Sequence, residues 1–293
     1  MKKVPVTKSP LRYPGGKTQL NEFVANVLNI NGLENVTYCE PFSGGFGLGL
    51  ELLLSGKVDK AIINDYDIAI FSLWYSILND TYSLISLIKE TPINIDSWIK
   101  QKKIYEEKKN DNKYSIELAF STLFLNRTNH SGIISGGPIG GYNQISKYKL
   151  NCRFNKEKII EKIYNIYNMR NKIELYNYEA NELIEKVLLK RNKENIFIYL
   201  DPPYYKQGKN LYKNFFTHDD HIKLEKSINE LHNFHWMITY DFEENIKYIY
   251  SKYPFKVYKI RYSAKRFRKE KEYIFTNPKT LIEEVSNIIF DDF

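Results

Sequence analysis

This chain has little with which to bind metal or form disulfides. Its 293 residues include two cysteines, Cys39 and Cys152, far apart in the sequence. Such a pair is neither a disulfide framework nor a zinc motif, and it suits a reducing, cytoplasmic setting. The five histidines, at 130, 218, 221, 232 and 235, do not fall at metal-ligand spacing, so no metal is expected. No apolar run reaches the roughly 18 residues of a membrane span, and no membrane partner is expected. The basic start, Met1–Lys17, lacks the apolar stretch of a signal peptide. No internal repeat is visible. What is abundant is apolar and aromatic surface, 43% and 15% of residues, which is enough for a large core and excludes a disordered chain. The net charge of +8 permits a polyanionic partner.

The pattern along the chain alternates strand and helix at both ends. After the turn Leu11–Lys17, an amphipathic helix is expected through about Leu28, with Leu20, Phe23, Val24 and Val27 on one face. A strand at Val36–Glu40, a glycine-rich turn, a helix through Glu51–Ser55 and a strand at Lys60–Asn64 make a βαβ unit, which argues for a parallel sheet. Helices are expected over Ile68–Ile88, Ser115–Phe124 and Phe154–Met169, with a charged, solvated stretch at Lys100–Lys113. Arg127–Leu150 is rich in Gly, Ser, Asn and Tyr and reads as a long loop or hairpin, a length that suggests function. Beyond it, strands at Ile173–Tyr176, Ile196–Leu200 and Trp236–Thr239 alternate with helices at Ala180–Leu189, His218–Leu231 and Glu243–Ser251. Phe255–Tyr262 and Glu272–Thr276 are expected as a closing antiparallel pair. The class is α/β, with an inserted helical and loop-rich region.

Three segments carry chemistry. At Ile198–Tyr205 a strand stops at an acid, two prolines and two tyrosines. Proline lacks an N–H and fixes φ, so Asp201 and Tyr204 sit on a stiff turn at a strand's end. In open α/β sheets ligands bind there. Asp201 and the Pro202 carbonyl can both accept hydrogen bonds from an exocyclic amine, and Tyr204 can stack on a planar ring. The bland alternative is an ordinary strand-end turn with a packed tyrosine. The second segment, Glu40–Gly49, has glycines at 44, 45, 47 and 49. It is either a nucleotide-type cofactor cradle or a turn with glycines for packing. Asp65, at the next strand's end, is placed for the two hydroxyls of a ribose, which a nicotinamide enzyme would also use. The glycines, however, do not form the dinucleotide fingerprint. The third segment is Arg12–Lys17, R-Y-P-G-G-K, where Tyr13 and Lys17 flank a glycine turn and can contact a cofactor's ring and carboxylate. It lacks the first glycine of a phosphate loop.

With these segments in this order, the chain resembles the Dam-like, or D12 class, DNA adenine-N6 methyltransferases. R-Y-P-G-G-K is similar to that family's N-terminal cofactor motif, E-P-F-S-G-G-F-G to its glycine loop, Asp65 to its ribose acid and Asp201-Pro202-Pro203-Tyr204 to its catalytic motif. Phe124–Asn129, Cys152–Asn155 and Phe215–His218 extend the likeness over most of the chain. The resemblance implies a Rossmann-like S-adenosylmethionine-dependent methyltransferase sheet with helices on both faces. It implies a catalytic domain over 1–72 and 156–293 and a target-recognition insertion over 73–155. The implied reaction is methyl transfer from S-adenosyl-L-methionine to the N6 amine of a flipped adenine in duplex DNA. Asp201, Pro202, Pro203 and Tyr204 would be catalytic. Tyr13, Lys17, Pro41, Phe42, Gly44, Gly45, Asp65, Asn177, Tyr178 and Asp201 would hold the cofactor. Arg127, Asn129, Tyr142, Lys147 and Arg153 would face double-stranded DNA. The basic run Lys265–Lys271 is a further phosphate candidate, although a solvated face is the more common explanation of such a run. A monomer or weak dimer is expected, with a cognate restriction endonuclease as a possible second partner. Gly132–Gln144 departs from the segment of members that read GATC, so no target sequence is inferred. The rival readings are methylation of cytosine N4, an RNA base or a protein glutamine, and an inactive DNA-binding relative. Trp74 and Trp236 are expected in the core, and Cys39 as a buried, inert thiol.

Overall fold

The fold is described from a computed structural model, over residues 7–12, 16–206, 216–262 and 268–291. Eight strands form one sheet: β1 (Thr37–Glu40), β2 (Lys60–Asn64), β3 (Ile173–Tyr176), β4 (Ile196–Leu200), β5 (His235–Asp241), β6 (Phe255–Tyr262), β7 (Arg268–Thr276) and β8 (Phe290–Asp291). Their order across the sheet is β3-β2-β1-β4-β5-β7-β6-β8. The pairs β1–β2, β1–β4, β2–β3 and β4–β5 are parallel. The β6–β7 pair is antiparallel, and β7 inserts antiparallel beside β5. This is the expected α/β sheet with its closing hairpin, and β7 begins four residues earlier than the sequence pattern suggested.

Strand burial follows the period of two that pleating imposes. Tyr38, Ile63, Phe197, Tyr199, Met237, Tyr258 and Ile274 enter one core. Their strand neighbours Cys39, Ile62, Ile198, Leu200, Trp236, Ile238, Val257, Tyr273 and Phe275 enter the other. Both faces are therefore covered, as a parallel sheet requires. Trp74 and Trp236 are fully buried, and Cys39 lies in the second core with its thiol pKa pushed well up by burial.

The first core also receives α1 (Asn21–Ile30), α2 (Gly47–Leu54), α3 (Ile68–Asn79), α4 (Thr81–Glu90), α6 (Ile116–Thr128) and α7 (Lys156–Tyr167), with Trp98 and Tyr105 of α5 (Ile95–Lys108). The second receives α8 (Ala180–Lys186), α9 (His218–Asn229) and α10 (Glu244–Ile249). The helical insertion thus shares a core with one sheet face. The helix expected over Ile68–Ile88 divides at Asp80, whose φ of −128° and ψ of 40° leave the helical region. Tyr114 Oη donates to Asp80 Oδ2 at 2.8 Å, and Thr81 Oγ1 donates back to the Ile77 carbonyl at 2.8 Å, so the break is built in. Among the described residues no helix is long and apolar enough to cross a membrane.

The sheet order reverses between β1 and β4. The chain runs outward through β2 and β3 on one side and through β5 on the other. In open α/β sheets, the crevice beyond the carboxyl ends at such a switch point is the ligand site. Ile198, fully buried on central β4, tests how much the platform depends on packing. Ile198→Ala is expected to cost about 3 kcal/mol, read as a fall in the urea midpoint with an unchanged slope. A loss under about 1 kcal/mol would show that the platform tolerates a cavity there.

Candidate active site

The turns after β1, β2, β3 and β4 meet at this edge, and buried polar side chains fix how they meet. Asn64, fully buried at the end of β2, donates to the Pro41 carbonyl at 2.8 Å and to the Tyr178 carbonyl at 3.0 Å. Its Oδ1 accepts from the Tyr178 amide at 3.0 Å. One amide side chain thereby ties the loops after β1 and β3 to β2. Ser43 adds a second tie, its amide bonding to the Asn64 carbonyl at 2.9 Å and its hydroxyl accepting from the Asn64 amide at 3.0 Å.

Within the glycine loop, Gly44 has φ +47°, a conformation glycine takes readily. Its amide donates to Asp65 Oδ2 at 2.8 Å, and its carbonyl accepts from Trp74 Nε1 at 2.9 Å. Asp65 Oδ1 accepts from the Asp67 amide at 2.9 Å. Burial, with the nearby Asp67 charge, pushes the Asp65 carboxyl up to about 7. Asp65 therefore pins the glycine loop, and each of its oxygens retains a lone pair for a ligand hydroxyl. Gly45 is buried, and Phe42 packs edge-on against Phe216 at 5.7 Å. Asn177 donates to the Asp65 carbonyl at 2.6 Å and the Tyr66 carbonyl at 3.2 Å, while the Tyr178 ring stacks on Tyr176 at 5.9 Å. Tyr13 lies outside the described residues.

Glu40, at the end of β1, is 6% exposed and escaped the sequence reading. Its Oε1 accepts from Tyr38 Oη at 2.9 Å and from the Gly49 amide at 3.0 Å, linking β1 to α2. Burial raises its pKa to about 8; the Tyr38 bond opposes this and the Asp201 charge adds to it.

Asp201 opens the turn after β4. Its Oδ1 lies 3.0 Å from Lys17 Nζ and accepts from Thr239 Oγ1 at 3.1 Å. Its Oδ2 takes no hydrogen bond from another described residue. Burial raises the Asp201 pKa, Lys17 opposes the rise and Glu272 adds to it. Tyr204 turns its hydroxyl inward, accepting from Lys17 Nζ and donating to Glu272 Oε1. Pro202 is buried and Pro203 half-buried. The next two amides, of Tyr205 and Lys206, donate to the two carboxylate oxygens of Asp241 at 3.0 Å each, so β5 clamps the turn. Lys17, Asp201 and Tyr204 thus come together as one cluster, joined by Glu272 and Asp241, which the sequence reading did not single out.

The loop side divides differently. Tyr142, Lys147 and Arg153 are exposed. Asn129 requires a correction, because it has no exposed surface. Its Oδ1 accepts from Trp98 Nε1 at 2.7 Å and its Nδ2 donates to the carbonyls of Ile133 and Ile134 at 3.0 and 2.8 Å. A DNA contact would break bonds that organise the loop, so Asn129 is a scaffold residue. Asn126 does related work: Oδ1 accepts from the Arg12 amide at 2.8 Å, and Nδ2 donates to the carbonyls of Arg12 and Gly132 at 2.9 and 2.8 Å. A Cβ at Gly132 would lie 2.2 Å from the Arg12 carbonyl, so only glycine fits there. Arg127 is half-buried, its Nε has no partner among the described residues, and burial with the charges of Arg12 and Arg153 lowers its pKa to about 10. The basic run at 265–271 lies largely outside the described residues.

A switch-point crevice edged by Glu40 at the end of β1, Asp65 after β2 and Asp201 after β4 defines a Rossmann-like α/β fold with a ligand site at its carboxyl edge. The family model for D12 class N6 adenine-specific DNA methyltransferases matches residues 13–265. The chain belongs to that family. Among solved structures, two of the rRNA methyltransferase aviRa from Streptomyces viridochromogenes align at 10% and 11% identity, each covering 92% of this chain and 88% of that chain, with TM-scores of 0.37. No curated protein matches.

The raised acid gives a pH test with a definite sign. The folded chain keeps a proton on Glu40 up to about pH 8, whereas the unfolded chain releases it near the ordinary glutamate value of about 4.3. This contribution to stability is full below the unfolded value and is lost as pH rises through about 8. Glu40→Gln removes the titration. Its thermal midpoint is expected to fall less steeply than wild type between pH 6 and 8, with the stability difference growing by on the order of 1 kcal/mol per pH unit. Parallel midpoint curves would contradict the assignment.

Proposed function

We propose that this protein transfers a methyl group from S-adenosyl-L-methionine to the N6 amine of an adenine turned out of duplex DNA. The observation that carries the reading is the open Oδ2 of Asp201 on a half-buried, clamped turn at the switch point. Family membership supports adenine in DNA as the substrate.

The residues suit the cofactor. Asp65 can accept from ribose hydroxyls, Asn177 and Tyr178 border the same edge, and acids suit a cationic ligand. Pro41, Phe42, Gly44 and Gly45 would line the cradle, and Lys17 would meet the cofactor's carboxylate. When bound, the cofactor supplies an electrophilic methyl on a positively charged sulfur.

The protein contributes placement, which can lower a barrier by several kcal/mol. Asp201 Oδ2 and the Pro202 carbonyl accept from the two amine hydrogens and turn the nitrogen lone pair toward the methyl. The amine proton that is lost passes to the Asp201 carboxylate, whose pKa burial raises, which makes it a stronger proton acceptor. Pro203 stiffens the turn. The Tyr204 ring, fixed by its hydroxyl, offers a stacking face, and base–aromatic stacking offsets about 1–3 kcal/mol of the unstacking cost.

On the loop side, burial and the neighbouring guanidinium charges lower the pKa values of Arg12 and Arg127, Arg153 being one of those neighbours, and no described carboxylate pairs with them. Such a cluster fits backbone phosphates, which position a duplex without reading its sequence. Tyr142 and Lys147 extend this surface along the 130–153 loop, and residues 73–155 are assigned as the target-recognition region.

Incubation with methyl-labelled S-adenosylmethionine and random-sequence duplex DNA should yield N6-methyladenine on nucleoside digestion. Asp201→Ala should retain its fold and lose roughly three orders of magnitude in rate. Label in cytosine alone, or none in DNA, would overturn the reading.

A further inference from the structure

No step above uses His221, a fully buried histidine near the start of α9. A capping box sets where that helix begins: the Thr217 hydroxyl accepts from the Asp220 amide at 3.3 Å, and Asp220 Oδ2 accepts from the Thr217 amide at 2.8 Å. His221 Nδ1 then shares a hydrogen bond with Tyr240 Oη of β5 at 2.9 Å. Tyr240 is also fully buried, and it directly precedes Asp241, whose carboxylate holds the Tyr205 and Lys206 amides.

Aromatic rings close on the imidazole from several elements. Between ring centres, Tyr205 lies 5.2 Å away, Phe216 5.3 Å and Tyr240 5.4 Å. Tyr205 is the residue after the catalytic motif, and Phe216 in turn packs on Phe42 of the glycine loop at 5.7 Å. One side chain therefore touches the turn that would hold the adenine amine and, through a single further ring, the loop that would line the cofactor cradle.

Packing does not call for a histidine here. Burial lowers its pKa to about 4, with the Asp220 charge opposing and His218 adding, so the ring is neutral. Its Nε2 is buried with no partner among the described residues. A phenyl ring would fill the same space without taking ring nitrogens out of water. What a phenyl ring lacks is direction. The bond from Nδ1 to Tyr240 Oη fixes the rotation of the imidazole and the height of α9 on β5, because hydrogen bonds weaken steeply when misaligned. Apolar rings have broader preferences.

We propose that His221 is a positioning residue that sets the gap between the adenine-holding turn and the cofactor cradle. Bonded to β5 beside the Asp241 clamp, it seats Tyr205 on one side and Phe216, and with it Phe42, on the other. The inference rests on the reading of this sheet edge as the site of methyl transfer. Transfer needs nitrogen, carbon and sulfur in line, and a misplacement of about 1 Å caused from a distance costs up to about a hundredfold in rate. His221 has no exposed surface to offer either reactant. Loosening it therefore slows the chemical step and leaves the binding of each reactant nearly as it was.

Single-turnover methyl transfer by the double variant His221→Phe, Tyr240→Phe tests this, at saturating S-adenosylmethionine and with a duplex that the wild-type protein methylates. Replacing both partners of a buried hydrogen bond by rings of similar shape is close to neutral for folding. The thermal midpoint is expected within about 3 °C of wild type, and the calorimetric Kd for S-adenosylhomocysteine within about twofold. The reaction amplitude, which counts folded protein, is expected to hold, and the rate constant to fall about tenfold. Tyr205→Leu removes one ring contact at a half-buried residue and is expected to lower the rate constant by a similar factor, which keeps the test decisive if the double variant does not fold. A wild-type rate constant in either variant, or a rate loss in the double variant matched by an equal loss of S-adenosylhomocysteine affinity, would overturn the inference alone. A wild-type protein that transfers no methyl group to DNA would overturn the functional reading and this inference together.

Discussion

Burying Asp201 and Glu272 within reach of one another is unfavourable until Lys17 is set between them. Two carboxylates removed from water repel, and each loses hydration worth several kcal/mol. The Lys17 ammonium, at 3.0 and 3.5 Å, offsets both costs and ties three distant parts of the chain together. These are the residue after the N-terminal Gly-Gly pair of the sequence, the turn after β4 and the middle of β7. The clamp of Asp241 on the amides of Tyr205 and Lys206 then fixes the far end of the catalytic turn.

The switch point supplies the place for this arrangement. Reversal of strand order between β1 and β4 opens the crevice, and Asn64 and Ser43 hold the adjoining loops at a set spacing. Asp65 holds the glycine loop through Gly44. Glu40, kept protonated by burial up to about pH 8, joins β1 to the helix behind that loop without adding charge beside Asp201 at neutral pH.

Much of the framework is legible from residue type because the responsible forces are local. Apolar β-branched runs mark β2 and β4, and the acid, prolines and glycines that end strands announce the turns. The division of the Ile68–Ile88 helix was not legible, because one of the bonds at the break, from Tyr114 to Asp80, comes from 34 residues away. Asn129 was misread for a similar reason: its polarity suggests a surface, and only the folded loop supplies Trp98 and two carbonyls to bury it. Glu272 sits in K-E-K-E-Y, where alternating charge reads as an exposed strand edge. Its burial follows from β7 lying between β5 and β6, a non-local fact. The one hint was its place two residues before Ile274, on the same strand face.

In the proposed mechanism the open oxygen of Asp201 receives the amine of an everted adenine while Glu272 and Lys17 hold the other oxygen's surroundings in place. A crystal structure with duplex DNA and S-adenosylhomocysteine tests this most directly. The expected result is an adenine outside the stack with its N6 within hydrogen-bond distance of Asp201 Oδ2 and the Pro202 carbonyl, and the arginine cluster on flanking phosphates. An intact base stack over the crevice, or a cofactor bound away from the β1–β4 edge, would contradict it.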